Sequence, residues 1–154
     1  MIYQGLHPGE LFRLKLADVD LTKATLYIAS SKRGNERVLR LQTIQLLLLR
    51  EYVQQTREKL LTWKGLETDK LLDVRNRISA HNMVNWLLRA LRKQGLVESA
   101  WQLRVSVMMQ WLKQYDLRIV QHMIGHRQVS TTQRYQDQDL EDLQQQLGKY
   151  HPMK

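Results

Sequence analysis

The feature that most constrains the fold is a pair of short strand-like runs joined by a turn. The runs are residues 26–28 and 38–41, which are rich in leucine, tyrosine, isoleucine and valine. Gly34 and Asn35 lie between them and are residues that tolerate the backbone conformations of tight turns. The pattern predicts an antiparallel β-hairpin, and a chain that contains it cannot fold as a simple bundle of helices.

Apolar residues elsewhere recur with helical spacing. A short helix is predicted from Pro8, which suits a first helical turn, to about Ala17. Six further helices are predicted, over residues 43–61, 79–94, 99–115, 117–124, 130–135 and 139–147. Residues typical of helix ends flank them: Ser79, Ser99, Asp116, Ser130, Gly95 and Gly125. We therefore expect an α+β, mostly α fold with helices around a small antiparallel sheet, in one domain over residues 1–154.

The chain carries a large excess of positive charge. It has 24 lysine and arginine residues against 15 aspartate and glutamate residues, which gives a formal net charge of +9. Such an excess favours a polyanionic partner, because cations on the protein release the counterions of phosphates. Nucleic acid is the favoured partner, although an anionic membrane surface or simple solubility would also be compatible with the charge.

The positive charge is concentrated in two stretches. No acidic residue occurs from residue 74 to residue 97, and a second basic cluster surrounds the predicted hairpin turn. The residues predicted to contact nucleic acid are Arg33, Arg37, Arg75, Arg77, Arg89, Arg92 and Lys93. Acidic residues gather instead at Asp137, Asp139, Glu141 and Asp142, so the C-terminal segment is predicted to face protein.

Several classes of function are excluded or disfavoured by composition. The chain has no cysteine, which rules out disulfides, thiolate metal sites and thiol nucleophiles. Its apolar runs, such as residues 46–49, are far shorter than the roughly 20 residues of a membrane span. The N-terminus lacks the pattern of a signal peptide. We expect a cytoplasmic protein with no membrane association, no cofactor and no metal.

Four stretches resemble motifs of the tyrosine recombinase or phage integrase family. They are GLHPGELF from residue 5, SKRGNERVLRL from residue 31, WQLRVSVMMQWL from residue 101 and MIGHRQVSTTQRY from residue 123. They occur in the family's order across nearly the whole chain. In this family a helical domain that clamps DNA ordinarily precedes the catalytic domain, and we expect it to be absent from residues 1–154.

The resemblance identifies candidate catalytic residues. Lys32, Arg104, His126 and Tyr135 match the family pattern, and the interval of nine residues from His126 to Tyr135 is the family's usual one. Gly125, Thr131 and Thr132 match as well. His7 stands where the family has an arginine, Trp101 stands where it has a histidine, and Val105 departs at a position that is usually histidine.

The resemblance implies site-specific DNA recombination or integration, as in mobile genetic elements. Tyr135 would attack the phosphodiester and hold a 3′-phosphotyrosyl link without a metal. Arg104 would grip the phosphate, which suits its planar fork, and His126 would bond the phosphate or steer the tyrosine proton. Lys32 would protonate the leaving oxygen. Backbone donors at a helix start near Ser130 would add anion binding.

Each candidate also has a plain structural interpretation. Tyr135 and Trp101 could be packing residues, Arg104 could pair with a carboxylate such as Glu10, and Lys32 could be a solvated charge. Three functions therefore stay open: a strand-transferring enzyme, a DNA-binding integrase relic without turnover, and a basic helical adaptor for RNA or protein. Retention of the His126 to Tyr135 interval disfavours the adaptor.

The C-terminal segment offers a route to self-association. Leu140, Leu143 and Leu147 recur at spacings of three and four and would form one apolar stripe on a helix. In this family the segment after the tyrosine commonly docks on a neighbouring subunit, so the resemblance implies a homo-oligomer on double-stranded DNA. The alternative is that this helix folds back onto its own domain.

Overall fold

A three-stranded antiparallel sheet forms the first part of the chain, in the order β1-β2-β3. The strands are β1 (Val19–Asp20), β2 (Thr25–Ile28) and β3 (Arg37–Arg40). Tyr27 pairs with Val38, and both side chains face outward. Successive residues of a strand point to opposite faces, so the neighbours of this pair face the core. The predicted hairpin is confirmed.

Helices make up most of the remaining chain in this computed structural model, which describes residues 3–32, 34–72, 77–95 and 97–138, with the backbone alone for residues 77–81. They are α1 (Pro8–Leu11), α2 (Thr43–Glu51), α3 (Arg57–Lys64), α4 (Arg77–Lys93), α5 (Ala100–Leu112), α6 (Leu117–Ile124) and α7, described over residues 129–138. A π turn, Tyr52–Thr56, joins α2 to α3, and a 3₁₀ turn, Leu16–Asp18, precedes β1. No helix within these described ranges is long and apolar enough to cross a membrane. The predicted mostly helical α+β fold is confirmed.

The sequence signals at helix ends were correct at some positions and wrong at others. Ser99 and Asp116 cap α5 and α6 by accepting backbone hydrogen bonds, and Gly125 ends α6 with a φ of 81°. Ser79 and Ser130 lie inside α4 and α7 instead of before them, so neither is an N-cap. The predicted helix over residues 139–147 lies outside the described residues.

The first helix is shorter than predicted. α1 ends at Leu11, whereas the apolar pattern extends to Ala17. The intervening chain pairs with a distant segment: Leu71 N donates to Leu14 O, and Leu16 N donates to Asp69 O, both at 2.8 Å. These bonds require an extended backbone, so tertiary pairing overrides the local helical pattern.

Two buried apolar clusters meet beside α1. One lies beneath the sheet and contains Leu6, Leu14, Leu26, Ile28, Leu39, Leu41 and Leu71. The other, between α5 and α6, contains Met108, Val120 and Ile124. Gly5 lies where they meet, with a φ of 54°, and a Cβ there would lie 2.7 Å from Ile124 Cδ1. The absence of a side chain at Gly5 therefore lets the start of the chain approach α6.

Candidate active site

The Glu10 carboxylate lies buried between two arginine side chains. Arg37 donates from Nη1 to Oε1 at 2.9 Å and from Nη2 to Oε2 at 3.0 Å, and Arg104 Nη1 lies 3.5 Å from Oε2. Burial raises the pKa of Glu10, but the hydrogen bonds and charge of Arg37, aided by Arg104, hold this pKa below its ordinary value. Glu10 is therefore ionised, and the trio carries one net positive charge.

Local capping holds Glu10 in place. His7 Nδ1 accepts a hydrogen bond from Gly9 N at 3.0 Å, and His7 N donates to Glu10 Oε2 at 2.9 Å. This reciprocal capping box, with Pro8 at the first helical position, defines the four-residue α1. His7, which replaces the family's arginine, is thus an exposed cap residue beside Glu10.

Arg37 is buried, and its prediction as a DNA contact is wrong. Its side chain is 0% exposed, and its Nε donates to Met123 O at 2.9 Å. Side chains alternate between the two faces of β3, so Arg37 lies on the same face as buried Leu39. On that face Glu10 supplies the opposite charge. A Cβ at Gly125 would overlap the Arg37 guanidinium, so this glycine leaves the space that the arginine occupies.

Arg104 is buried at the opposite side of Glu10. It donates from Nη1 to Gly5 O at 2.5 Å and from Nη2 to Ile124 O at 2.8 Å. Burial lowers the pKa of Arg104, Glu10 opposes this, and the nearby charge of Arg37 adds to the lowering. The alternative in which Arg104 pairs with Glu10 therefore holds in this structure, and the two carbonyls fix the direction of its planar fork.

The hairpin tip docks on the loop that follows α6. Asn35 N donates to Gly125 O at 3.0 Å, and Arg127 Nη2 donates to Ser31 O at 2.8 Å. These contacts lie on both sides of Lys32, whose own side chain is exposed. The hairpin therefore holds Lys32 at the edge of the His126 loop, whereas Arg33 lies outside the described residues.

His126 is a buried, neutral histidine. Its Nδ1 lies 2.9 Å from Oγ1 of Thr132, which is itself 0% exposed. Burial lowers the pKa of His126 from 6.5 to about 4, and the charges of Arg104 and Arg37 add to this while Glu10 opposes it. The ring therefore carries no charge at neutral pH, and its hydrogen bond links the loop to α7.

Tyr135 lies on α7 against the second apolar cluster. It is half-buried and packs against the cluster formed by Met108, Val120 and Ile124. The Trp101 ring lies 6.2 Å from the Tyr135 ring, centroid to centroid, at a tilt of 52°. The indole therefore covers one side of the tyrosine, at a position where the family pattern has a histidine. Trp101 itself is 49% exposed.

Part of the predicted basic surface on and before α4 lies within the described residues. Arg89, Arg92 and Lys93 are exposed, and Arg92 Nε also donates to Glu98 O at 2.7 Å, which ties α4 to the loop before α5. Arg75 lies outside the described residues, and for Arg77 only the backbone at the start of α4 is described. Three exposed cations therefore remain of this group in the described part.

The structure brings Arg104, His126, Tyr135 and Trp101 together, with His7 beside them. Arg104 binds the carbonyl of Ile124, two residues before His126, its charge lowers the pKa of His126, and Tyr135 is close enough to act on the pKa of Arg104. The sequence analysis named Arg37 only as a DNA contact and Thr132 only as a match to the family pattern, whereas the structure places both in this group. Arg37 carried a usable signal, because it is two residues from Leu39 and shares its face.

This arrangement can stabilise developing negative charge and offers a phenol as nucleophile. Guanidinium and imidazole donors near a phenol suit attack on a phosphorus centre, where charge grows on the non-bridging oxygens. Among the residues that the structure describes, no three histidine, aspartate or glutamate side chains gather closely enough to hold a metal ion.

Comparison with known proteins agrees with this fold. The sequence profile of the Phage integrase family matches residues 1–142. The chain is 31% identical over 155 residues to the tyrosine recombinase XerC of Halalkalibacterium halodurans, covering 96% of this chain and 51% of that protein. The chain spans about half the length of the curated relatives it matches.

Solved structures share the fold at lower identity. The crystal structure of XerA recombinase superposes with a TM-score of 0.72 at 23% identity, over 99% of this chain and 55% of that one. XerH site-specific recombinase bound to its difH substrate gives a TM-score of 0.67 at 22% identity, over 88% and 40% of the two chains. With its match over residues 1–142, the chain belongs to the phage integrase family and has the fold of a tyrosine recombinase catalytic domain.

Proposed function

We propose that this chain cleaves and rejoins DNA strands in site-specific recombination, through a 3′-phosphotyrosyl intermediate on Tyr135. The observation that carries the proposal is the convergence of Arg104, His126 and Tyr135 from α5, the following loop and α7. Residues so distant in sequence meet at one place beside buried Glu10, as attack on a single phosphate requires.

Each group has a role that its surroundings support. The Tyr135 phenol releases its proton to solvent, which reaches this half-buried side chain, and its oxygen bonds to the phosphorus as the bond to the 5′-oxygen breaks. Arg104, held in direction by two carbonyls, stabilises charge on the non-bridging oxygens. Neutral His126 donates a hydrogen bond to the same phosphate. Lys32, exposed on the docked hairpin, protonates the leaving 5′-oxygen.

Double-stranded DNA is the proposed substrate, and the cytoplasm is the proposed place of action. The net charge of +9 and the exposed cations of α4 support binding to phosphates. XerH, a solved protein of the same fold, is bound to a difH substrate. By analogy, α4 and the hairpin tip would lie along the duplex on either side of the tyrosine.

A second candidate function is DNA binding without turnover, and two observations favour it. His7 serves as a helix cap where the family has an arginine, and Trp101 packs on Tyr135 where it has a histidine. Loss of one preorganised donor typically lowers a rate by about 10² to 10³. Losses within one catalytic unit are not additive, so the combined effect of both changes has to be measured.

A nicked or suicide duplex distinguishes the two functions. Incubation followed by a denaturing gel should reveal a covalent protein–DNA adduct, which Tyr135→Phe abolishes while duplex binding stays unchanged. His7→Arg should increase adduct yield, because it restores a permanent charge beside Glu10. An adduct that persists in Tyr135→Phe removes Tyr135 as nucleophile, and no adduct in any variant leaves the DNA-binding function.

We also propose that the C-terminal segment mediates self-association on DNA. Its leucine stripe, from Leu140 to Leu147, lies outside the described residues. The proposal is supported by the family, in which this segment commonly docks on a neighbouring subunit. Deleting the residues after Gln138 should abolish assembly on a duplex and leave binding of single copies intact. Sedimentation with identical stoichiometry for the deleted and full chains would contradict this.

A further inference from the structure

The hydrogen bond between Thr132 and His126 is buried. Thr132 is 0% exposed and His126 is 9% exposed, and their Oγ1 and Nδ1 atoms lie 2.9 Å apart. In the part of the chain that the structure describes, this is the single hydrogen bond of either the hydroxyl or the ring. The Thr132 hydroxyl must therefore place its proton without help from solvent.

The position of the hydroxyl proton decides the state of the ring. A buried hydroxyl that donates to nothing costs roughly 1–3 kcal/mol. Threonine within a helix often donates to the carbonyl four residues earlier, which here belongs to Gln128, but the described contacts of Thr132 include no such bond. The Thr132 hydroxyl is therefore assigned as the donor of this bond and Nδ1 as its acceptor. In a neutral ring the hydrogen is then on the other nitrogen, Nε2.

We propose that Thr132 is a positioning residue that fixes His126 in the Nε2-protonated tautomer. The ring is then a hydrogen-bond donor toward the scissile phosphate, and it is not the acceptor of the Tyr135 proton. This inference rests on the proposed function. It assigns His126 the role of hydrogen-bond donor, although an imidazole can act either as a donor or as a proton acceptor.

The charges around the ring agree with a neutral donor. Arg104 on α5 and Arg37 on β3 are positive, and Glu10 on α1 is the opposing negative group. Since two cations face the imidazole and one anion does, a second proton on the ring is disfavoured. A neutral Nε2–H can still meet an anionic oxygen, and it gains strength from the charge of that oxygen.

The same bond connects the histidine to the nucleophile. Thr132 and Tyr135 are three residues apart on α7, so their side chains lie on neighbouring parts of one helix face. A movement of α7 that displaces Tyr135 would also displace the hydroxyl that orients His126. The donor and the nucleophile would therefore be correctly placed together or not at all.

Nitrogen-15 NMR of the histidine rings tests the assignment in the full chain without DNA. Long-range proton–nitrogen correlations at neutral pH identify which ring nitrogen carries hydrogen, and the His126 signals are assigned by their loss in His126→Gln. We expect Nε2–H in the unmodified chain and in Thr132→Ser, which keeps the hydroxyl. Thr132→Val, which removes it at nearly constant shape, should shift the signals toward the average of exchanging tautomers.

Thr131→Val is the matched control. Thr131 precedes Thr132 on α7 and is half-buried, and the described hydrogen bond of the His126 ring goes to Thr132 and not to Thr131, so its substitution should leave the ring signals unchanged. In the suicide-duplex assay, Thr132→Val should lower the rate of adduct formation about tenfold, since a misdirected donor loses part of its effect. Thr132→Ser should restore the rate, and duplex affinity should be equal in all three.

The outcomes separate this inference from the proposed function. A hydrogen on Nδ1 in the unmodified chain overturns the assignment, and an unchanged tautomer in Thr132→Val overturns the positioning role. If Thr132→Val does not fold, the unmodified chain and Thr132→Ser still decide the tautomer. Absence of any adduct, with the expected NMR result, rejects the catalytic function and leaves the Thr132 to His126 assignment intact.

Discussion

The surroundings of His126 determine its charge, and they link protonation to folding. In the folded chain burial lowers the pKa of this histidine to about 4, and Arg104 and Arg37 contribute to the lowering. In the unfolded chain the ring titrates near 6.5. Between these values the unfolded chain binds more protons, so acidification favours unfolding. His126 therefore contributes stability that is complete above pH 6.5 and is lost as the pH falls toward 4.

We predict that His126→Gln weakens the pH dependence of stability. The unmodified chain should lose free energy of unfolding between pH 7 and pH 5, within a limit of about 3 kcal/mol for the whole titration. His126→Gln should lose less over the same range, measured by urea denaturation. His122→Gln, at an exposed position of α6, should behave as the unmodified chain. Equal losses in all three chains would show that His126 is not the group responsible.

Helix ends differ in how far the sequence alone could define them. The bounds of α6 were predicted correctly because Asp116 and Gly125 act locally at its two ends. The end of α1 was missed because Leu14 and Leu16 bond to residues more than fifty positions away. The pairing of Glu10 with Arg37 likewise joins two elements, and local patterns carry no information about such contacts.

Two glycines that end helices provide a matched comparison. Gly125 and Gly65 both have positive φ, 81° and 57°, but a Cβ at Gly125 would overlap Arg37 whereas nothing lies within 4 Å of one at Gly65. Gly65→Ala should cost about 1 kcal/mol of stability from backbone strain alone. Gly125→Ala should cost several times more, since it also displaces the arginine that pairs with Glu10. Equal costs by chemical denaturation would mean that Arg37 can move without penalty.

At the scale of the whole molecule, charge and fold class were easier to predict than individual contacts. The excess of 24 cations over 15 anions requires no structure to recognise, and the motif order identified the family before the fold was known. The same charge count could not separate Arg37, which is buried against Glu10, from Arg89, which is exposed. That distinction depends on which face of a strand or helix is covered, so it emerges only from tertiary structure.

Binding to duplex DNA should fall steeply as salt concentration rises. Each phosphate that the protein neutralises contributes roughly 0.9 to the slope of log affinity against log salt. Arg89→Glu should weaken binding for every DNA sequence and reduce this slope by about 1. Arg50→Glu, at an exposed position of α2, is the control and should have little effect. Fluorescence anisotropy over a salt series measures both the affinity and its dependence on salt. An affinity that does not change with salt concentration would contradict the proposed DNA-binding surface.

Within the part of the chain that the structure describes, two buried guanidiniums share the Glu10 carboxylate, so this trio holds one uncompensated positive charge largely away from water. An isolated buried charge is costly to folding, and an anion bound beside it would remove part of that cost. By thermodynamic linkage, whatever binds the folded form preferentially also raises its stability. We therefore expect the domain to be more resistant to heat when a phosphate occupies its site than when it is empty. Release of the phosphate would return the protein to its less stable state. The same buried positive charge would therefore determine both the affinity for DNA phosphates and the thermal stability of the domain.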